Sequence, residues 1–420
     1  MIMQDKLWTK NFILLIVASL GSGFLVSLFL NTLPIYAEQM TGTAVYAGLV
    51  TTGYSMAALA TRPVVGILCE RVSALKLIII GLSMMMVTCY AYKFASTIAV
   101  LILIRVLHGI GFGIKSTASG VLAAEIIPKS RFAEGIGMFG LYLPVANAIG
   151  PAFGLWVAEE GSFQTLFNIA GAIGIVSVVL MFLIRQPRTS SQEAGKKRVD
   201  AGEEQETISA DRLPKSFIGF EFGVVYPSLT LMLVYFGYSA IISFVALYAI
   251  SSGVSGIGLF FTIGAIALFV ARLFFAKLVK RYGYHRFVIV SIILFAAVLF
   301  LIPHIENIIA LYGCSIFYGA ALGIVPMAVN AQVLERCSVK RRGTAMAAYT
   351  SSMDLGIGIG SVLMGAVVDS GGFTPAFSMA GGICAAGAVV YVLTVARDHE
   401  QYVARIEALA SGEQVAGDQI

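Results

Sequence analysis

The chain alternates long apolar runs with short polar breaks along nearly its whole length. Runs fall near residues 11–36, 45–69, 77–94, 98–124, 133–157 and 163–185, then near 227–250, 256–279, 287–303, 308–334, 343–368 and 375–396. Each is long enough to cross a bilayer core as a helix, the longer ones with tilt. The pattern predicts an all-α membrane protein with twelve transmembrane helices.

One polar break is unlike the others. RQPRTSSQEAGKKRVDAGEEQETISADRLPKS, from Arg185, is charged and has no apolar face, so it reads as a loop joining two halves. The expected organisation is a six-helix half over 1–185, a cytoplasmic loop over 186–218, a second six-helix half over 219–396 and a cytoplasmic tail over 397–420.

Composition agrees. Hydrophobic residues make up 58% of the chain and charged residues 12%, with mean hydropathy +0.88; soluble domains carry about 25% charged residues. The run from Phe12 to Tyr36 is too long for the apolar core of a signal peptide and is expected to be a retained span. The five cysteines form no C-x-x-C pair, so neither a metal site nor a cofactor is expected.

Of the 28 basic residues, 23 fall on segments that are cytoplasmic if the N-terminus is cytoplasmic, and Lys93 alone falls outside. Arg62, Arg105, Lys115 and Arg272 lie within spans, while Arg185 and Lys277, at the cytoplasmic ends of theirs, are counted with the 23. This bias predicts that both termini and the central loop face the cytoplasm. The net charge of +5 is then a topology signal, and no nucleic-acid partner is expected.

The two halves repeat one another. A gapless offset of 210 residues carries Arg62 onto Arg272, Arg71 onto Arg281, Gly109 onto Gly319, Gly113 onto Gly323, Glu125 onto Glu335, Gly150 onto Gly360 and Phe163 onto Phe373. A duplicated six-span unit keeps one orientation in both copies, which predicts parallel halves about an axis normal to the membrane.

Three stretches now carry a resemblance. G-I-L-C-E-R-V-S-A-L-K, from Gly66 to Lys76, resembles the loop motif of the major facilitator superfamily, with Glu70 for the usual Asp, Ser73 for a Gly and Leu75 for a basic residue. R-V-L-H-G-I-G, from Arg105, resembles that family's R-x-x-Q-G-x-G, with His108 in place of Gln. Gly137, Ala146, Gly150, Pro151 and Gly154 follow the spacing of its span-five exporter motif, with Ala146 and Leu155 replacing two glycines. The resemblance covers nearly the whole chain. It implies the major facilitator fold, alternating access, and a likeness to twelve-span drug and metabolite:proton antiporters. It also implies gating roles for Gly66, Glu70, Arg71, Gly150, Pro151 and Gly154, the last three in a helix sealed against the opposite half. Arg62 and Arg272 either snorkel to the interface or form gate salt bridges.

At about 100° per residue, Arg105, His108 and Lys115 share one face of the fourth span. Charges facing lipid are costly, so this face points inward. A cationic inward face suggests a substrate with an anionic group; a hydrogen-bonded core His is the alternative for His108. Asn31, Tyr235, Tyr238 and Tyr318 complete the expected substrate-binding set. Asp354 is the one acidic residue deep in a span and is expected to carry the coupling proton, sharing a cavity with Lys115 at similar depth.

The function expected is secondary transport: proton-driven export of a small organic solute, anionic or amphipathic, from a bacterial inner membrane by a monomer. The alternative is a proton-coupled importer of organic anions or sugars. No G-x-x-x-x-G-K-[ST] motif and no H-E-x-x-H motif occur, so neither an ATP-driven pump nor an enzyme is expected, and a membrane sensor is the remote alternative.

Overall fold

In the computed structural model, the described residues are 6–69, 71–184, 216–217, 220–282, 284–337 and 342–397. Glu70, nearly all of the central loop and the tail beyond Arg397 therefore lie outside the described residues. The N-terminal half contains α1 (Lys10–Thr41), α2 (Ala44–Leu68), α3 (Ala74–Ala91), α4 (Ile98–Ile126), α5 (Phe132–Phe139), α6 (Tyr142–Glu160) and α7 (Phe163–Phe182). The C-terminal half contains α8 (Phe222–Ser251), α9 (Gly258–Tyr282), α10 (Tyr284–Leu301), α11 (Ile308–Glu335), α12 (Arg342–Gly371) and α13 (Phe373–Val390). A minimal hairpin, Ser216–Phe217 antiparallel to Phe220–Glu221, precedes α8.

Local chemistry fixes many helix ends. Thr9, Thr97, Ser162 and Asn307 each accept a hydrogen bond from a backbone N–H in the first turn of the helix they precede. Gly42 ends α1 at φ 73°, a left-handed conformation that glycine adopts without strain.

Eleven described spans have the length and hydropathy to cross a membrane. The twelfth, α2, is 25 residues long but more polar, because it carries Thr51, Thr52, Ser55 and Arg62 on surfaces turned away from lipid. Large apolar side chains such as Val87, Leu103, Val176, Leu273 and Ile309 point outward and are exposed, as lipid-facing residues are.

The fifth expected span, 133–157, is broken. Its helices α5 and α6 meet at Gly140–Leu141, and Pro144 is the reason. A proline ring clashes with the carbonyl four residues earlier, here that of Gly140, so a continuous helix is disfavoured. In the first turn of a new helix its missing N–H does no harm.

Two hydrophobic cores form. One draws on residues from Leu7 to Ile184. The other runs from Val224 to Val395, with Ile35, Ala44, Ala47 and Leu155 reaching into it from the N-terminal half. The end of the bundle where α1 begins is called proximal below, and the opposite end distal.

The halves are locked together distally. Gly48 abuts the backbone of Ser361, and an added Cβ at Gly365 would lie 2.6 Å from the carbonyl of Ala44. Thr52 donates to the Gly358 carbonyl at 2.6 Å, and Ser243 donates to Thr51 at 3.1 Å. Thr43, the residue preceding α2, makes no side-chain cap. Asp369 of the other half supplies it, accepting from Ala44 N at 2.6 Å and Val45 N at 3.0 Å. A carboxylate is well placed at the positive end of a helix dipole.

Candidate functional site

Proximal to these contacts lies a chamber of about 320 Å³ walled by both halves. Arg62, Tyr54 and Pro144 face it from one half, and Arg272, Tyr235 and Asp354 from the other. Asn147, Tyr238 and several apolar residues also line a second, smaller space of about 40 Å³, which Asn31 and Tyr318 complete. Asn31 is 1% exposed, and neither end of its amide has a hydrogen-bond partner.

The repeat is visible in the chamber wall. Leu143, Pro144 and Asn147 line it from α6, while Met353, Asp354 and Ile357 line it from α12, each 210 positions later. Arg62 and Arg272 are related in the same way, as are Phe112 and Leu322.

Across the chamber Arg62 Nε lies 3.0 Å from Asp354 Oδ2. Neither atom has a hydrogen-bond partner elsewhere. This ion pair lies proximal to the contacts that Asp369, Thr52 and Ser243 make between the halves. It replaces the expected sharing of one cavity by Asp354 and Lys115.

The basic face of α4 is buried in the core of its own half and reaches the chamber only through Phe112. Arg105 places its guanidinium 4.3 Å from the centre of the Tyr54 ring, and Tyr54 stands between it and the chamber. Lys115 is fully buried with its Nζ 4.3 Å from the centre of the Tyr142 ring. His108 Nδ1 lies 3.1 Å from Thr88 Oγ1, which donates to the Met85 carbonyl at 2.7 Å. A hydroxyl has one proton, so His108 is the donor and its imidazole is anchored as a core group. These three residues face inward, as expected, but aromatic rings rather than the chamber receive them.

Of the other expected binding residues, Tyr235 and Tyr238 pack edge to face with centroids 5.6 Å apart on the wall of the chamber. Tyr318 stacks on Phe260 at 5.1 Å beside the smaller space. Arg62 and Arg272, expected to snorkel to the interface or to form gate salt bridges, both line the chamber; Arg62 makes an ion pair between the halves, and Arg272 makes none among the described residues. Tyr54 and Asn147 were not among the expected residues. Ser27 donates to the Asn147 side-chain oxygen at 2.5 Å.

The expected gating residues separate into two groups. Gly66 and Arg71 are exposed at the proximal end of α2. Gly150 and Gly154 do not face the opposite half: a Cβ at Gly150 would strike Ser27, and one at Gly154 would lie 2.7 Å from the Leu28 carbonyl, both on α1 of the same half. The neighbouring face of α6 meets the other half, with Ala152 against Gly258 and Pro151 on the small space.

Twelve spans in two halves, with a chamber walled by both that carries three charged side chains, define a polytopic solute transporter. The chain belongs to the Major Facilitator Superfamily, whose sequence profile matches residues 15–255 and 227–411. It is 25% identical to the staphylopine export protein of Staphylococcus aureus over 348 residues, 81% of this chain and 85% of that one. It is 24% identical to the multi-drug resistance efflux pump PmrA of Streptococcus pneumoniae over 182 residues, 42% of this chain and 45% of the pump. The nucleoside transporter NupG shares the fold, with a TM-score of 0.70 at 15% identity, covering 92% of this chain and 99% of NupG.

Proposed function

We propose that the chain is a proton-driven exporter that exchanges a small, amphipathic organic solute for protons by alternating access, with Asp354 as the exchange site. The observation that carries this reading is the Arg62–Asp354 pair: a carboxylate deep in the membrane, inside a chamber, tied to the opposite half. An intramembrane carboxylate is a natural proton carrier. Protonating it removes the carboxylate's charge, leaves Arg62 an unpaired cation and loosens the proximal link between the halves. With the orientation implied by the Lys and Arg bias, the distal closure faces outward, and this conformation presents its chamber to the cytoplasm. The Asp369 cap would then be part of the closed external side.

The sign of the coupling depends on what replaces the proton. If the solute carries only an anion that binds Arg62, a proton on Asp354 frees that arginine, and proton and solute bind together; that is co-transport. Exchange requires mutual exclusion, so a positively charged group of the solute takes the place of the proton on Asp354. Linkage makes the exclusion reciprocal. The names of two relatives, an export protein and an efflux pump, support the outward direction.

The test is transport in everted bacterial membrane vesicles with an acidified lumen. Solute accumulation that collapses the pH gradient, and that is lost in Asp354→Asn, is expected. Solute uptake by right-side-out vesicles, driven by inward proton flow, would instead identify an importer.

A further inference from the structure

The two repeats differ at one charge. The 210-residue offset that carries Arg62 onto Arg272 also carries Pro144 onto Asp354. All four residues line the chamber. The pseudo-symmetry mate of the Arg62–Asp354 ion pair is therefore Arg272 with Pro144, an arginine whose carboxylate has been replaced by a proline. Arg272 Nε is buried and has no hydrogen-bond partner, and among the described residues Arg272 takes part in no ion pair. Arg272 as a whole is half-buried, and a guanidinium held in a chamber with no carboxylate beside it is an uncompensated charge that a structural role alone does not explain. Pro144 also breaks the helix, shaping the wall opposite the arginine.

We infer that Arg272 binds a carboxylate of the solute, which fills the place on the Pro144 side that Asp354 fills against Arg62. This rests on the reading of the chamber as the solute site. A guanidinium presents a planar fork of donors matched to a carboxylate, and that geometry selects it over a neutral amide. With exchange at Asp354, the solute class becomes an amino carboxylate: its carboxylate at Arg272 and its ammonium at Asp354. Tyr235, Tyr238 and Phe112 add aromatic wall to the same chamber.

The test uses purified protein without any gradient and a panel of aliphatic and aromatic amino acids of differing chain length. Each is supplied as the free acid, the carboxamide and the N-acetyl derivative, and binding is read by thermal shift and calorimetry. Free acids are expected to bind the wild type, and the carboxamides about tenfold or more weakly, the size of effect for a charged hydrogen bond. Arg272→Gln should bind acid and carboxamide alike. Pro144→Asp, which restores the missing carboxylate, should also lose acid binding, while Arg272→Lys should keep part of the preference. Binding of carboxamides as tight as that of acids, retained acid preference in Arg272→Gln, or no binding by any acid overturns the inference. The N-acetyl arm tests the exchange reading separately. If N-acetylated acids bind as well as free amino acids, the role of the ammonium at Asp354 fails and the role of Arg272 stands.

Discussion

Asp354 of the C-terminal half and Arg62 of the N-terminal half meet at 3.0 Å inside the chamber and tie the two halves together proximally. The distal ends are held by other contacts, so this pair is the charge-dependent part of the proximal link. Breaking a desolvated pair by removing one partner strands the other charge. Arg62→Gln is therefore expected to destabilise the protein, by about 1–3 kcal/mol. Arg62→Gln combined with Asp354→Asn should recover much of that loss. Thermal unfolding in detergent checks this; strictly additive losses would show that the two side chains are not coupled.

The second expectation concerns the distal end. Asp369 caps α2 from the opposite half, and that cap is lost whenever the distal ends part. An N-cap is worth about 0.5–2 kcal/mol, so Asp369→Ala should shift the equilibrium toward distal opening by roughly two- to thirtyfold. Ala47, fully buried near this contact, offers a reporter. Ala47→Cys in a background without the five native cysteines should label faster with a membrane-impermeant maleimide when Asp369→Ala is added. Unchanged labelling would remove Asp369 from the closure.

Gly150 and Ala152 lie on different faces of α6 and should fail differently. Gly150→Leu drives a side chain into Ser27 within one half and should lower thermal stability, since overpacking costs about 1–3 kcal/mol. Ala152→Leu meets Gly258 across the interface. It should leave the fold of each half intact while hindering distal closure. Equal stability losses in both variants would contradict the assignment of faces.

Lys115 supplies a further contrast. It is enclosed over Tyr142 and does not line the chamber, so Lys115→Met should change solute affinity less than about twofold. A buried ammonium with only a ring beneath it is costly, and thermal stability should be kept or raised. A large loss of solute binding would place Lys115 back in the site.

The spans were legible because lipid forces every spanning segment to be long and apolar, and the repeat was legible because its offset runs without gaps from Arg62 to Phe373. The break in span five was not read, although Pro144 was its cause, because a glycine-rich apolar run still counts as one hydropathy segment. For α4, the cost of charge in lipid pointed Arg105, His108 and Lys115 inward. Inward means either the chamber or the core of one half, and the rings of Tyr54, Tyr92 and Tyr142 that decide between them come from other helices. Arg62 and Arg272 were assigned by depth along their own helices, yet a long arginine stem reaches in either direction from its backbone. Their recurrence at one offset was the available signal.

The exclusion of proton and solute at Asp354 is tested most directly by proton counting during binding. Purified protein in weak buffer with a pH-sensitive dye is mixed with whichever amino carboxylate binds it, with no gradient present. At a pH low enough to protonate Asp354 in the solute-free protein, exchange requires the wild type to release protons as the solute binds and Asp354→Asn to bind without release; at higher pH, where Asp354 is ionised against Arg62, release should fade. Proton uptake by the wild type on solute binding would contradict exchange and establish co-transport instead.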